Sequence, residues 1–511
     1  MFRPIRLLPL LIGLPLLAAC GGKGSGQASA PQMSSGRGHL ITSPPAKMGS
    51  MSASDLVSRL SGSDVGQELL KLALAPICSV EVYHFEYDTV GARGESTTAS
   101  GALMIPGGAD LRCLSPRPIL LYAHGTSTLK TYNIADVTSS GEGLVLAAVF
   151  ASRGYIVVAP NYAGYDTSSL GYHPYLNADQ QSKDMMDALT AARSAFAATS
   201  TSDNKKLFVT GYSQGGYVAM ATQRALQAAG AAVTASAPMS GPYTLAAFGD
   251  AVFEGQVGGS AVVNFTMLAT SYQHAYGNIY SSPTDVFEAK YASGIDSLLP
   301  STTDVSTLVS QGRLPANALF SSTPPAPEFA AMTPATTPAN LAPAFALGFG
   351  SDNLVTNNYR LSSLRDAQAN PDGGFPNMST GLPAASPAST LRQALSTNDL
   401  RNWSPTSPVL LCAGNGDPTV FFLNTQLMQG YWAKNPPGSA VTVLDIDSSA
   451  SSGDPYADLK VGFAAAKTLV AASAVAGGAT DGGRSAVLHA YHARLVPPFC
   501  LAAVSSFFDG Y

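Results

Sequence analysis

Lys206-Leu207-Phe208-Val209-Thr210-Gly211-Tyr212-Ser213-Gln214-Gly215-Gly216-Tyr217-Val218-Ala219-Met220-Ala221 is the stretch on which the fold turns. Its first five residues read as a short buried strand, and the residues after Ser213 have helical composition. Between them, glycines stand two positions either side of Ser213. A serine on so sharp a strand-to-helix turn is lifted out of the sheet, and the glycines are needed because strand and helix approach too closely for side chains. The pattern alone recurs by chance in a chain with 49 glycines. The strand in front and the helix behind give it meaning.

Outward from this turn, strands and helices alternate. Val80 to Thr89, Thr97 to Ile105 and Ile119 to Ala123 read as strands, Gly143 to Ser152 as a helix, and Tyr155 to Ala159 as a buried strand. Gln180 to Ala197 is a helix, followed by Leu207 to Thr210 as a strand, Gln214 to Ala229 as a helix and Val233 to Ala237 as a strand. Val409 to Cys412, Phe421 to Trp432, Val441 to Ile446 and Pro498 to Phe508 continue the alternation near the end. Such an order predicts right-handed crossovers and an α/β fold with a mostly parallel central sheet flanked by helices. Residues 55–243 and 401–511 are expected to form this core in two parts. The interval 244–400 is too long for a connecting loop. Its Pro-rich pieces, such as Ser322-Thr323-Pro324-Pro325-Ala326-Pro327, alternate with apolar helical stretches, so it is expected to be an inserted, mostly helical cap over the carboxyl edge of the sheet; an independent second domain is the alternative.

The amino terminus assigns the compartment. Arg3 and Arg6 precede an apolar run from Leu7 to Ala19, which ends in Leu17-Ala18-Ala19-Cys20. This is an export signal over residues 1–19 with a box for lipidation of Cys20, and Gly21 in place of an aspartate fits outer-membrane sorting. Residues 20–54, rich in Gly, Ser, Ala and Pro, are expected to be a flexible tether. No later stretch reaches about 20 apolar residues free of charge. Charged residues make up 12% of the chain and the net charge is −5, against a usual charged share of about 25%; this excludes electrostatic binding of nucleic acid. The remaining cysteines, Cys78, Cys113, Cys412 and Cys500, would pair in an oxidising compartment. Cys78 with Cys113 would staple the first strands, and Cys412 with Cys500 flank the later segments. No two cysteines have the close spacing of a zinc site, and no metal or cofactor is expected.

A serine hydroxyl is a weak nucleophile at neutral pH and needs a base, an orienting acid and donors for the oxyanion it creates. The strand Ile119 to Ala123 runs into His124-Gly125-Thr126, a turn from which a backbone amide can face the site, with His124 bracing the loop. The amide of Gln214, at the start of the following helix, is a second donor. In this chain order the acid follows the insert. Asp417, in Gly414-Asn415-Gly416-Asp417-Pro418 after an apolar strand, has that position; Asp445 and Asp447 are alternatives on an ordinary strand face. His489 and His492 are both candidates for the base, and spacing does not separate them. Tyr243, Phe248, Tyr272 and Tyr276 could line a pocket or pack within the cap.

The motifs quoted, together with Ala159-Pro160-Asn161-Tyr162-Ala163-Gly164-Tyr165, Ser240-Gly241-Pro242-Tyr243 and Tyr491-His492 leading into Leu495-Val496-Pro497-Pro498, resemble the bacterial secreted lipases and esterases related to the fungal lipase A type of α/β-hydrolase. The resemblance covers about residues 76 to 511. It implies a serine esterase with Ser213 as nucleophile, Asp417 as acid and His492, in preference to His489, as base, and it assigns an oxyanion amide to Thr126. It also implies a helical cap, no cofactor, and a small-molecule or polymeric ester as substrate. Asn161 departs from the pattern, since aspartate is commoner there, and so does the Gly/Ala/Ser-rich extension from Ser448 to Arg484. A peptidase of the same chemistry, and a catalytically idle envelope lipoprotein that binds apolar ligands, are the rival readings.

Overall fold

A computed structural model describes residues 36–72 and 75–511. The export signal and Cys20 therefore lie outside the described residues. Nine strands form one sheet: β1 (Ala46–Met51), β2 (Ser79–Val90), β3 (Ser96–Gly107), β4 (Arg117–Ala123), β5 (Ile156–Pro160), β6 (Asp203–Tyr212), β7 (Ala235–Met239), β10 (Val409–Ala413) and β11 (Val441–Asp445), in the order β1-β2-β3-β5-β4-β6-β7-β10-β11. The short β8 (Phe320–Ser321) and β9 (Phe349–Gly350) pair separately. β1, β2 and β3 pair antiparallel in turn and β3 pairs antiparallel with β5, while β5, β4, β6, β7, β10 and β11 run parallel.

The parallel strands are apolar on both faces, as sheets covered on both sides require. Alternate residues enter opposite layers: Ile119, Leu121, Val209 and Leu411 pack on one face with α4 (Ala178–Ser194) and α5 (Gln214–Ala228). Leu120, Tyr122, Phe208 and Leu410 pack on the other with α3 (Gly141–Val149) and α16 (Val496–Phe508). Register places Ala123 opposite Gly211, Gly211 opposite Pro238, and Met239 opposite Cys412, so the carboxyl ends of β4, β6, β7 and β10 finish level. A site drawn from several loops can assemble there.

Residues between β7 and β10 form α6 (Leu245–Phe253), α7 (Ala261–Tyr276), α8 (Ala289–Ala292), α9 (Val305–Ser310), α10 (Ala342–Leu347), α11 (Asn357–Ala369) and α12 (Thr390–Thr397). Their apolar residues, among them Phe253, Phe265 and Leu391, continue the buried cluster of the sheet. Two buried guanidinium groups tie the segment together. Arg392 bonds Asp250 and Asp366, and Arg401 bonds Asp372 and Asp399. Each buried cation thus has two carboxylates, the arrangement that makes burying it tolerable.

One expectation needs correction. The tether expected over residues 20–54 is folded from residue 36 onward: Leu40 is buried and bridges to Tyr87, and β1 pairs with β2 from Ala46 opposite His84 to Met51 opposite Val80. Its sequence, Ala46 to Met51, has small residues and no apolar alternation, because an edge strand held by backbone pairing needs neither. α1 (Ala53–Leu60) follows at once, with Ser52 and Asp55 forming a reciprocal cap. α14 (Ala457–Ala476), within the Ser448–Arg484 extension, is long and apolar enough to cross a membrane by length and composition but is not free of charge, carrying Asp458, Lys460 and Lys467. Its lysines are matched locally, Lys460 with Asp454 and Lys467 with Asp447.

Two disulfides occur among the described residues. Cys78–Cys113 ties the start of β2 to the turn before β4, and Cys412–Cys500 ties β10 to α16.

Candidate active site

Ser213 sits at the junction of β6 and α5 with φ 60° and ψ −121°. A non-glycine residue with positive φ is strained, and such strain concentrates at functional sites. The junction is crowded on both sides: a Cβ on Gly211 would lie 2.4 Å from the carbonyl oxygens of Ala123 and Gly215. The Ser213 N–H donates to the Met239 carbonyl, fixing the turn to β7.

The Ser213 hydroxyl lies 2.9 Å from Nε2 of His492, and Nδ1 of His492 lies 2.6 Å from Oδ2 of Asp417. With Asp417 ionised, Nδ1–H donates to the carboxylate and Nε2 is left free to accept the serine proton. Asp417 is fully buried, and its second oxygen accepts the Thr419 and Val420 N–H groups at 2.8 and 3.0 Å. His492 stands on the widened Tyr491–Leu495 turn between α15 (Arg484–Ala490) and α16. Tyr212, beside the serine, donates to the His492 carbonyl.

His489 is remote from these groups: it is exposed on α15 and faces the groove between α14 and α2 (Asp64–Lys71). Asp445 and Asp447 do not reach the imidazole contacts; they brace the loop that carries Asp417. Asp445 accepts both the backbone and side-chain N–H of Asn415. Asp447 accepts the Tyr491 hydroxyl at 2.6 Å, and that hydroxyl in turn accepts the Gly416 N–H.

Thr126 follows the end of β4 and Gln214 opens α5 after Ser213, and the N–H of neither has a hydrogen-bond acceptor among the described residues. The amino end of α5 adds its dipole there. Three side chains that carried no sequence signal hold the segments that carry these amides. Glu142, at the start of α3, accepts the Gly125 N–H and the Tyr122 and Tyr132 hydroxyls. Tyr175 bonds the Thr126 hydroxyl at 3.0 Å. His173 donates Nδ1–H to the Ala163 carbonyl and accepts the Gln214 side-chain amide at Nε2, 2.8 Å away; burial pushes its pKa down to about 3, which keeps Nε2 an acceptor. They lie on loops or helix starts set by tertiary packing, so no local pattern marks them. Asn161 donates to Ser100 and accepts the Ile134 N–H, so an amide satisfies this loop.

A cavity opens at Ser213. Tyr175, Phe248, Phe265, Leu268 and Leu395 are among its walls. Of the four aromatic residues proposed for it, only Phe248 lines it. Tyr243 and Tyr272 are buried elsewhere, the Tyr272 hydroxyl donating to the Leu176 carbonyl, and Tyr276 accepts from Asn398.

The family model described as the prolyl oligopeptidase family, Peptidase_S9, matches residues 145–313, from within α3 past the serine turn into the helical insert. No curated protein matches the sequence. Among solved structures, the rice cell wall degrading esterase LipA from Xanthomonas oryzae is 26% identical, with 90% of this chain and 98% of that chain covered and a TM-score of 0.62. A protein of Legionella pneumophila is 18% identical, with 92% and 97% covered and a TM-score of 0.60. The level strand ends, the serine turn and these likenesses give the chain an α/β-hydrolase fold, similar to that of a bacterial esterase.

Proposed function

We propose that the chain is a serine carboxylic-ester hydrolase working through an acyl-enzyme. The observation that carries this reading is the continuous hydrogen-bonded line from Ser213 through His492 to Asp417, beside two amides without acceptors. Ser213 Oγ attacks the ester carbonyl as His492 Nε2 takes its proton. The carbonyl oxygen becomes an oxyanion held by the Thr126 and Gln214 N–H groups. His492 then gives its proton to the departing alcohol, the C–O bond breaks, and the acyl group remains on Ser213. Water repeats the sequence, releasing the acid and restoring the serine. Asp417 stays ionised throughout and stabilises the imidazolium. No cofactor enters the scheme.

The helices over residues 244–400 act as the cap, and their apolar walls at the cavity suit an uncharged acyl group. Export through residues 1–19 and lipid anchoring at Cys20 put the enzyme in the bacterial cell envelope, at the outer membrane. The two disulfides support an extracytoplasmic place. A peptidase is the second reading, favoured by the prolyl oligopeptidase match. Purified protein and its Ser213→Ala variant, assayed on p-nitrophenyl esters of graded length and on the matching anilides, separate the possibilities. Ester turnover that Ser213→Ala lowers by roughly 10³-fold or more supports the proposal; anilide turnover exceeding ester turnover, or an unaffected variant, rejects it.

A further inference from the structure

His124 has both ring nitrogens aimed at carbonyl oxygens. Nδ1 lies 2.6 Å from the oxygen of Gly125 and Nε2 lies 3.1 Å from the oxygen of Asn161. A carbonyl only accepts, so each contact calls for an N–H on the ring. Neutral imidazole has one. Either neutral tautomer would press a nitrogen lone pair against a carbonyl oxygen, around a residue with no exposed surface.

The surroundings suit a cation. Tyr162 is stacked on the ring at 4.1 Å between centroids, Tyr132 lies tilted against it at 4.5 Å, and Tyr165 presents an edge at 5.8 Å. Aromatic faces attract a buried cation. Glu142 supplies the opposite charge from α3, while the nearby His173 is held neutral and adds none. Gly125 lies between the two: its N–H goes to Glu142 and its C=O accepts from His124. Because the N–H and C=O of one planar peptide point in opposite directions, holding the Gly125 oxygen on His124 turns the Thr126 N–H away from that ring, and it has no acceptor among the described residues.

We infer that His124 is a permanently protonated positioning residue, paired across Gly125 with the Glu142 carboxylate, which fixes the peptide that donates to the oxyanion. The inference rests on the oxyanion role proposed for Thr126. Burial is the largest influence on the ring and, although Glu142 and the two carbonyls oppose it, the net direction is below the ordinary histidine value, against the charge; the hydrogen-bond geometry points the other way. The demand for two donors decides in favour of the cation, since the neutral ring leaves a repulsive contact that nothing in the cage relieves.

The test uses the full chain labelled with ¹⁵N-histidine, the His124 signal being assigned by its loss in His124→Asn. Both ring nitrogens of His124 are expected in the protonated form at pH 7.5, where an ordinary histidine has mostly lost one proton. An unprotonated ring nitrogen at that pH overturns the inference whether or not any variant folds. In Glu142→Gln, His124 is expected to become neutral near pH 7, with kcat about tenfold lower or less still and KM within about twofold, since a misaimed donor matters most in the transition state. A Glu142→Gln variant with an unchanged His124 signal and unchanged kcat also overturns it. The hydrolase reading fails separately: Ser213→Ala that retained activity would reject that reading and leave the His124 signal as it is.

Discussion

Gly215 stands directly under the carbonyl of Ala123: a Cβ built on it would lie 1.9 Å from that oxygen. The atom it meets is backbone at the end of the central strand β4, so no side chain can swing aside. Gly215→Ala must therefore push apart the serine turn and the His124–Thr126 loop, which carry the two amides proposed to hold the oxyanion. Overpacking of this kind costs roughly 1–3 kcal/mol or more. Expected results are a lowered melting temperature and loss of most esterase activity. A Gly215→Ala protein with parental kcat would mean that the turn and the loop are not rigidly apposed.

Asp417 and Asp447 both sit near the base, but only one touches it. Asp417→Asn keeps the shape while removing the acceptor that fixes the Nδ1–H tautomer, so kcat is expected to fall by about 10³ to 10⁴ with the fold intact. Asp447 acts two bonds away, through the Tyr491 hydroxyl and the Gly416 N–H. Asp447→Asn is expected to lose no more than about tenfold, because an amide oxygen still accepts from Tyr491. Equal losses in the two variants would show the acid to be misassigned.

His173 gives a pH dependence of stability. Its pKa is pushed down to about 3 by burial, below the ordinary value of 6.5. Between those two values the unfolded chain binds a proton that the folded chain does not. The contribution is complete above pH 6.5 and is lost as pH falls toward 3, up to a few kcal/mol at the acid end. Denaturant midpoints at pH 7 and pH 4 should differ for the parent, and the difference should shrink in His173→Gln, which cannot titrate. An equal slope in both would place the acid sensitivity elsewhere than His173; the buried Asp184, whose pKa is raised to about 6, contributes with the opposite sign, gaining stability as pH falls.

The disulfide Cys412–Cys500 closes a loop of 88 residues and anchors α16 to β10. His492 lies on the turn that leads into this helix. Cys412→Ala with Cys500→Ala is expected to cost roughly 4 kcal/mol by the chain-entropy account, and to lower kcat because the turn loses its nearest covalent restraint. Activity and melting temperature measured with and without reductant check this in the parent. If reduction lowered stability and left kcat unchanged, packing of Phe499 on Phe463 and Val496 in the core would suffice to place the base.

The legible parts of the molecule were those written in local pattern. The run from Leu207 to Ala221 specifies strand, turn and helix by itself, and Val409 to Asp417 specifies a buried strand opening on a glycine-rich loop, so the places of Ser213 and Asp417 could be read directly. His489 and His492 could not be separated by spacing, because three residues apart on a regular helix share a face. The widened turn at Tyr491–Leu495 breaks that regularity and sends them different ways. The edge strand at Ala46–Met51 escaped notice because backbone pairing, and no apolar pattern, defines it. Glu142, His173 and Tyr175 were invisible because their partners lie 17, 41 and 49 residues away along the chain.

On the proposed esterase reading, acyl preference would be set by the cavity wall to which α6 and α7 contribute Phe248 and Leu268. Phe248 also packs edge-on against Phe421, so its ring is fixed from behind and marks the end of available space. Phe248→Ala should open room for several methylenes, moving the best substrate in a p-nitrophenyl ester series toward longer chains, each buried methylene being worth about 0.8 kcal/mol in transition-state binding. Leu268→Trp should move it toward acetate and propionate by occupying that room. The two shifts are expected in kcat/KM with activity on the acetyl ester kept within about threefold, since the ring and the leucine do not touch the triad and removing a pocket methylene alters discrimination by modest factors. If both variants kept the parental length profile, the acyl chain would leave the site by another wall, and the position of Phe248 would then serve only to seat α6 against Phe421.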